Sequence, residues 1–227
     1  MRQPIAGTEA RRLLGGGPVT LLTTAWRGNY NVMPAAFVTP VSFEPPLVAV
    51  AVHPSRHTHD MIRYSEEFAL NIPSRELLHH CQYLGSVTGR EMNKLELTKL
   101  PTFRARQVEA PLLEGCVAYI ECGVHDAYTT GDHTLFIGKV VAAQVEKEAF
   151  DQTWLLEDPD LKPLHYLGVN IYALLGDRSE ARVPKPEDAA SAEEQVEAGL
   201  EEGGTELAEQ REREAEESER RRREGLG

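Results

Sequence analysis

Six consecutive residues, His53-Pro54-Ser55-Arg56-His57-Thr58, bring together two hydroxyls, a guanidinium and two imidazoles. They close an apolar run over 47–53 and open a helical pattern over 57–64. The amino terminus of a helix offers unpaired N–H groups and the positive end of the helix dipole. With Ser55, Arg56 and Thr58 added, such a turn suits a phosphate. The same residues also read as an ordinary helix start, with Ser55 as its cap and Arg56 in solvent. Asp60, in the first turn, can satisfy the same dipole. On this segment alone both readings stand.

A second stretch, 31–42, contains Pro34 and Pro40, which cannot donate to a sheet ladder, so strand pairing must be interrupted near them. Backbone groups beside them become available to a ligand. Ala35 and Ala36 are small enough for a flat ring to approach the main chain, and Phe37 can wall it. A bulged edge strand explains these residues equally well. His133 beside Asp132 is either a simple turn residue or a group suited by its near-neutral pKa to orient or protonate a ring. Lys94, taken by itself, reads as a surface lysine.

Other chemistry is excluded. No GxxxxGK[ST] is present, no GxGxxG follows a strand and opens a helix, and neither GxSxG nor HExxH occurs. His57 and His59, and His79 and His80, lack a supporting carboxylate cluster, so no metal centre is expected. Cys81, Cys116 and Cys122 form no close CxxC pair and read as reduced thiols, Cys116 and Cys122 as packed ones.

The elements that must position these groups are mostly strands. Patterning predicts strands over 19–26 and 31–38 around a turn at 27–30, then over 47–53, 67–72, 116–128, 134–146 and 169–174. Helices are expected over 8–14, stopped by Gly15-Gly16-Gly17-Pro18, and over 57–64 and 75–83. Many strands with few short helices point to a mainly β protein, a β-barrel with short helices, and not to a doubly wound sheet.

Read in order, the Pro/Ala strand with its Ser42-Phe43-Glu44-Pro45-Pro46 turn, the Ser55-Arg56-His57-Thr58 segment, Gly89-Arg90-Glu91-Met92-Asn93-Lys94, and Gly131-Asp132-His133-Thr134 with the strand after it resemble the flavin reductase-like family. Within that family the likeness is to the flavoredoxin branch of FMN-binding split barrels, over roughly residues 12–176. The resemblance implies an FMN held between strands near a homodimer interface, with its phosphate at the Ser55 to Thr58 turn and Arg56, His53 and His57 among its neighbours. It implies that Asn31, Ala35, Ala36, Phe37, Val38 and Thr39 line the ring and ribityl chain, and that Lys94 contacts the cofactor. His133 would face the flavin and an incoming nicotinamide, and Tyr166 would complete the wall. Related sequences often carry Ser or Asn where this chain has Ala36 and Phe37. The activity implied is hydride transfer from NADH or NADPH to the flavin and onward to an acceptor, which is a monooxygenase, iron or free flavin. An FMN-holding electron-transfer protein without NAD(P)H oxidation, and a non-enzymatic barrel that binds a partner, are the alternatives.

The chain has 227 residues, 41% of them hydrophobic, and a formal charge of −12. Residues 177–227 hold 17 of the 36 acidic and nine of the 24 basic residues, and no aromatic, His or Cys, so they cannot build a core. A domain over 1–176 followed by a charged tail, partly helical or disordered, is expected, with Glu-to-Arg pairs four residues apart favouring a helix near 206–224. The acidity argues against nucleic-acid binding. No apolar run approaches the roughly 18 residues that cross a membrane, and the amino terminus shows no signal-peptide core, so the cytoplasm is the expected compartment.

Overall fold

β1 (Thr20–Trp26) and β2 (Asn29–Ala35) form a hairpin turned by Arg27 and Gly28 alone, both at positive φ, 50° and 77°. That is the two-residue turn whose twist matches paired strands, so Asn29 and Tyr30 belong to β2 and not to the turn expected over 27–30. The computed structural model describes residues 3–181. The tail expected over 177–227 lies outside them from residue 182 onward, as does the helix expected near 206–224.

The strand expected over 31–38 stops at Ala35. Ala36 and Phe37 cross over, and β3 (Val38–Ser42) begins, followed by β4 (Leu47–Val52), α1 (His57–Ser65) and β5 (Glu67–Pro73). A 3-10 turn, Arg75–Leu77, leads into α2 (Leu78–Ser86), which ends three residues later than expected. The short α3 (Lys94–Thr98) was not anticipated; Asn93 caps it by accepting from the Glu96 N–H at 3.3 Å. β6 (Thr102–Phe103) pairs with β7 (Leu112–Leu113), and the long β8 (Cys116–Thr130) and β9 (His133–Val145) form a hairpin. β10 (Phe150–Asp151) pairs with β11 (Thr153–Trp154), and β12 (Leu164–Gly168) with β13 (Ile171–Leu174).

Seven strands make one antiparallel sheet in the order β2-β1-β5-β8-β9-β4-β3. Its two edge strands, β2 and β3, are joined by only two residues, so Ala35 and Val38 can be at most about 11 Å apart. The sheet must therefore roll into a barrel, split between β2 and β3. Both prolines of the 31–42 stretch fall on these edges, Pro34 on β2 and Pro40 on β3, where a missing N–H disrupts least.

β1 is buried on both faces: Leu21 packs with Val32, Leu84, Leu112 and Leu164, and Leu22 with Val50, Phe68, Leu70 and Phe136. Alternating side chains put those two leucines in separate clusters. All three α-helices pack against β2, which makes that edge the floor of a cleft with helical walls. The segment expected as an amphipathic helix over 8–14 is a 3-10 helix, Gly7–Leu14, with no buried residue. Among the described residues no helix is long and apolar enough to cross a membrane. The three cysteines are free and buried, as expected of Cys116 and Cys122.

Candidate functional site

The His53 to Thr58 segment does connect β4 to the start of α1. Ser55 is not the cap: Arg56 holds the N-cap position and no side chain caps the helix. Ser55 instead turns back, its N–H donating to His53 Nδ1 at 3.1 Å and its hydroxyl lying 2.8 Å from the same nitrogen. Asp60 is engaged by Arg90 at 2.7 Å, and this ion pair holds its carboxyl below the usual range against the opposing effect of burial. The first turn of α1 thus keeps its anion-binding capacity.

Thr58 is buried under β2, and its Oγ1 accepts from Asn31 Nδ2 at 2.7 Å. Lys94, brought in by α3, is only 5% exposed and donates to the Leu84 carbonyl at 2.8 Å. Burial, reinforced by Arg56, pulls its pKa down to about 8. The His57 pKa is also lowered, first by burial and then by Arg90. Asn31, Ser55, Arg56, His57, Thr58 and Lys94 together line a cavity of about 190 Å³ that has no carboxylate in its wall. Two basic groups with no opposing acid leave a positive field that an anion would relieve.

Two buried polar atoms of this cavity have no hydrogen-bond partner among the described residues, Asn31 Oδ1 and His57 Nδ1. Buried polar atoms are nearly always paired. The amide oxygen calls for a donor such as a hydroxyl. The imidazole nitrogen, on a ring whose pKa burial lowers, can carry the neutral ring's proton and donate to an anion.

A larger cleft of about 570 Å³ adjoins the first, and the two share Met33, Pro34, Ser55, Arg56 and Gly85. Ala35, Ala36, Phe37, His53, His133 and Tyr166 line it. Gly85 lies against Pro34, where an added Cβ would come within 3.1 Å of the proline ring. At the mouth, His133 bonds Asp132 through Nδ1 at 2.6 Å, meets the edge of His53 at 5.3 Å and tilts against Phe37 at 5.8 Å. The bond to His133 lowers the Asp132 pKa.

Twelve of the fourteen residues singled out in the sequence are therefore gathered in two adjoining cavities. Val38 and Thr39 are not: they line a separate apolar groove of about 650 Å³ beside the cleft, which Ala36, Phe37 and Tyr166 also border. Cys81, Gln82, Gly85 and Ser86 of α2, with Tyr172 of β13, complete the cleft wall without having been anticipated. Burial pushes the Cys81 thiol up to about 12, which makes it an inert part of that wall. Among the described residues no group of three His, Cys, Asp or Glu is placed to hold a metal ion.

Comparison with known proteins agrees with this architecture. The chain is 34% identical over 184 residues to the uncharacterised Escherichia coli protein YddH, covering 78% of this chain and 97% of that one. It is 31% identical over 121 residues to a flavin reductase of Pseudomonas putida, covering 53% and 68%. Among solved structures it superposes on flavoredoxin from Methanosarcina acetivorans with a TM-score of 0.70, 26% identity and coverage of 80% and 95%. The FMN-binding protein of Thermus thermophilus, solved with bound 1-cyclohex-2-enone, gives 0.68, 28%, and 80% and 97%. The two solved structures share this chain's fold, the mainly β split barrel expected from the sequence. Residues 14–173 match the model of the flavin reductase like domain, and the chain belongs to that family.

Proposed function

We propose that the protein is an FMN-dependent oxidoreductase that takes hydride from NADH or NADPH and passes electrons to a monooxygenase, iron or free flavin. The observation that carries the reading is the pair of unpartnered atoms at the small cavity, Asn31 Oδ1 and His57 Nδ1. One needs a donor and the other can meet an anion. A ribityl phosphate offers both, hydroxyls and a dianion on one chain, and the adjoining cleft has the small residues that admit a flat ring. When bound, the flavin supplies the redox chemistry.

The chain's own residues bind and orient. Lys94 and Arg56 neutralise the phosphate, and the α1 amino terminus adds its N–H groups. Ala35 and Ala36 leave room beside the main chain that would admit the ring, and Pro34 packed on Gly85 would bound it. Asp132 holds the His133 ring, which with Phe37 and His53 narrows the mouth where a nicotinamide enters. The P. putida relative's name, flavin reductase, supports the same class of activity. Three free, buried thiols accord with a reducing cytoplasm.

We place a second copy of the chain over the apolar groove, giving a homodimer. Leu14 and Leu167 line that groove yet are 89% and 48% exposed in the single chain, and patches of this kind mark interfaces. Anaerobic addition of NADH or NADPH to the FMN-loaded protein tests the activity. Bleaching of the flavin band is expected, whereas a yellow protein inert to both would be an electron carrier.

A further inference from the structure

One wall of the 570 Å³ cleft is built by α2 and by the tyrosines of the β12-β13 hairpin. Along α2 the thiol of Cys81 is inert, Gly85 has no side chain, and Ser86 commits its hydroxyl to the Tyr83 carbonyl at 2.7 Å. Gln82 brings the one amide side chain of the lining among the described residues. Its Oε1 accepts from the Tyr172 hydroxyl at 3.1 Å, and its Nε2 donates to Asn170 Oδ1 at 2.9 Å. Asn170 stands at φ 66° in the turn between β12 and β13, in the left-handed region that asparagine tolerates. Tyr172 pairs across the hairpin with Tyr166, whose ring lies 5.2 Å away. Burial, then Cys81 and Tyr166, pushes the Tyr172 pKa up to about 12, so its hydroxyl keeps the proton it donates. Two bonds thus fix the plane of the Gln82 amide. A glutamine side chain has two N–H donors and two lone pairs on its oxygen, so one of each is unused among the described residues. Gly85, which lines both the cleft and the small polar cavity, lies three residues along α2, a rise of about 4.5 Å. Gln82 therefore stands about one helical turn beyond the junction, on the cleft side.

We propose that Gln82, held in its plane by Tyr172 and Asn170, is a specificity-determining residue that pairs with the amide edge of a ring bound in the cleft. The proposal rests on the flavin reading above and names a contact that orients a ring there. An edge with an N–H beside a C=O complements a fixed primary amide in two antiparallel hydrogen bonds, the N–H meeting Gln82 Oε1 and the C=O meeting Nε2. Two ligands of the proposed reaction carry such an edge: the flavin in the imide of its pyrimidine ring, and the nicotinamide in its carboxamide. A ligand without the N–H leaves Oε1 unpaired in a desolvated site and is penalised for it. Tyr172 and Asn170 act through Gln82 as positioning residues.

The test sets Gln82→Met and Tyr172→Phe against ligands that lack the amide N–H. Calorimetric titration of the full chain compares FMN with FMN methylated at its imide nitrogen. Anaerobic reduction of the FMN-loaded protein, followed against dinucleotide concentration, compares the affinity for the reducing nicotinamide dinucleotide with that for its acetylpyridine analogue. In one of these arms the wild type should prefer the ligand with the N–H by about tenfold, and that arm identifies the edge as the flavin's or the nicotinamide's. Gln82→Met should lose about tenfold for the preferred ligand and no longer distinguish the pair. Tyr172→Phe keeps the ring but frees the amide to turn, so it should shrink the preference about threefold, and it carries the test if Gln82→Met does not fold. A role in the fold alone would lower the urea midpoint of both variants and leave the preference intact. A wild type without preference in either arm, or a preference unmoved in a variant that still binds FMN, overturns the inference and leaves the flavin reading standing. If FMN binds but neither dinucleotide reduces it, the flavin arm alone decides. If the wild type binds no FMN, both fall.

Discussion

Asn31 Nδ2 donates to Thr58 Oγ1 across 2.7 Å, and this bond ties the edge strand β2 to the first turn of α1 with both side chains almost wholly buried. It commits the donor end of the amide to the protein, while Oδ1 has no partner among the described residues. Thr58→Val removes the acceptor while keeping the shape, so an amide donor is left unpaired in the interior. The ligand-free protein should lose about 1–3 kcal/mol, read by urea denaturation, and FMN affinity should fall with it. An unchanged urea midpoint would show that the bond does not hold the two elements together.

Gly89→Ala tests the same amide from its other side. The new methyl would sit 2.2 Å from Asn31 Oδ1, too close for the amide to stay. Overpacking of this kind costs about 1–3 kcal/mol. Weaker FMN binding is expected in the same titration, and normal FMN binding by this variant would place Asn31 outside the site.

Lys94 makes the site pH-dependent in two opposite ways. Its folded-state pKa lies near 8, below the ordinary 10.5. Below pH 8 the lysine is charged in both states, and the penalty for burying it is fully present. Between about 8 and 10.5 the folded protein releases a proton that the unfolded chain keeps, so the ligand-free protein gains stability as pH rises. Phosphate binding needs the charged form, so FMN affinity should decline above pH 8, by at most about tenfold per unit. In Lys94→Met the affinity should be low and flat across this range. A wild-type affinity that does not change from about pH 7 to about 9.5 would contradict the role given to Lys94.

The apolar groove bears on assembly. Leu14→Glu with Leu167→Glu puts two charges on the face proposed to meet the second copy, and light scattering should then report a monomer where the wild type gives a dimer. A monomeric wild type would remove the dimer from the account.

Much of this was legible in the sequence because it is local. The apolar run over 47–53 followed by a helical pattern locates His53 to Thr58 at a strand-to-helix junction, where the structure has it. The prolines at 34 and 40 predict interrupted pairing, and both lie on edge strands; a register shift follows Pro40, while the β1-β2 register runs unbroken through Pro34. What escaped depends on distant partners. Gly85 matters because Pro34 faces it, which lets α2 pack closely on β2 beside the cleft that Cys81, Gln82 and Ser86 also line. Lys94 reads as a surface residue until α3, capped by Asn93, turns it under Leu84. The break at Ala36 and Phe37 is invisible in a continuous apolar stretch, yet it sends Val38 and Thr39 to the groove and not to the cleft.

A comparison of FMN with riboflavin, which differ only in the phosphate, isolates the small cavity's being a phosphate site. FMN should bind at least about a hundredfold more tightly, the worth of two charge-assisted hydrogen bonds, and the advantage should shrink sharply in Lys94→Met. Riboflavin binding as tightly as FMN would contradict it.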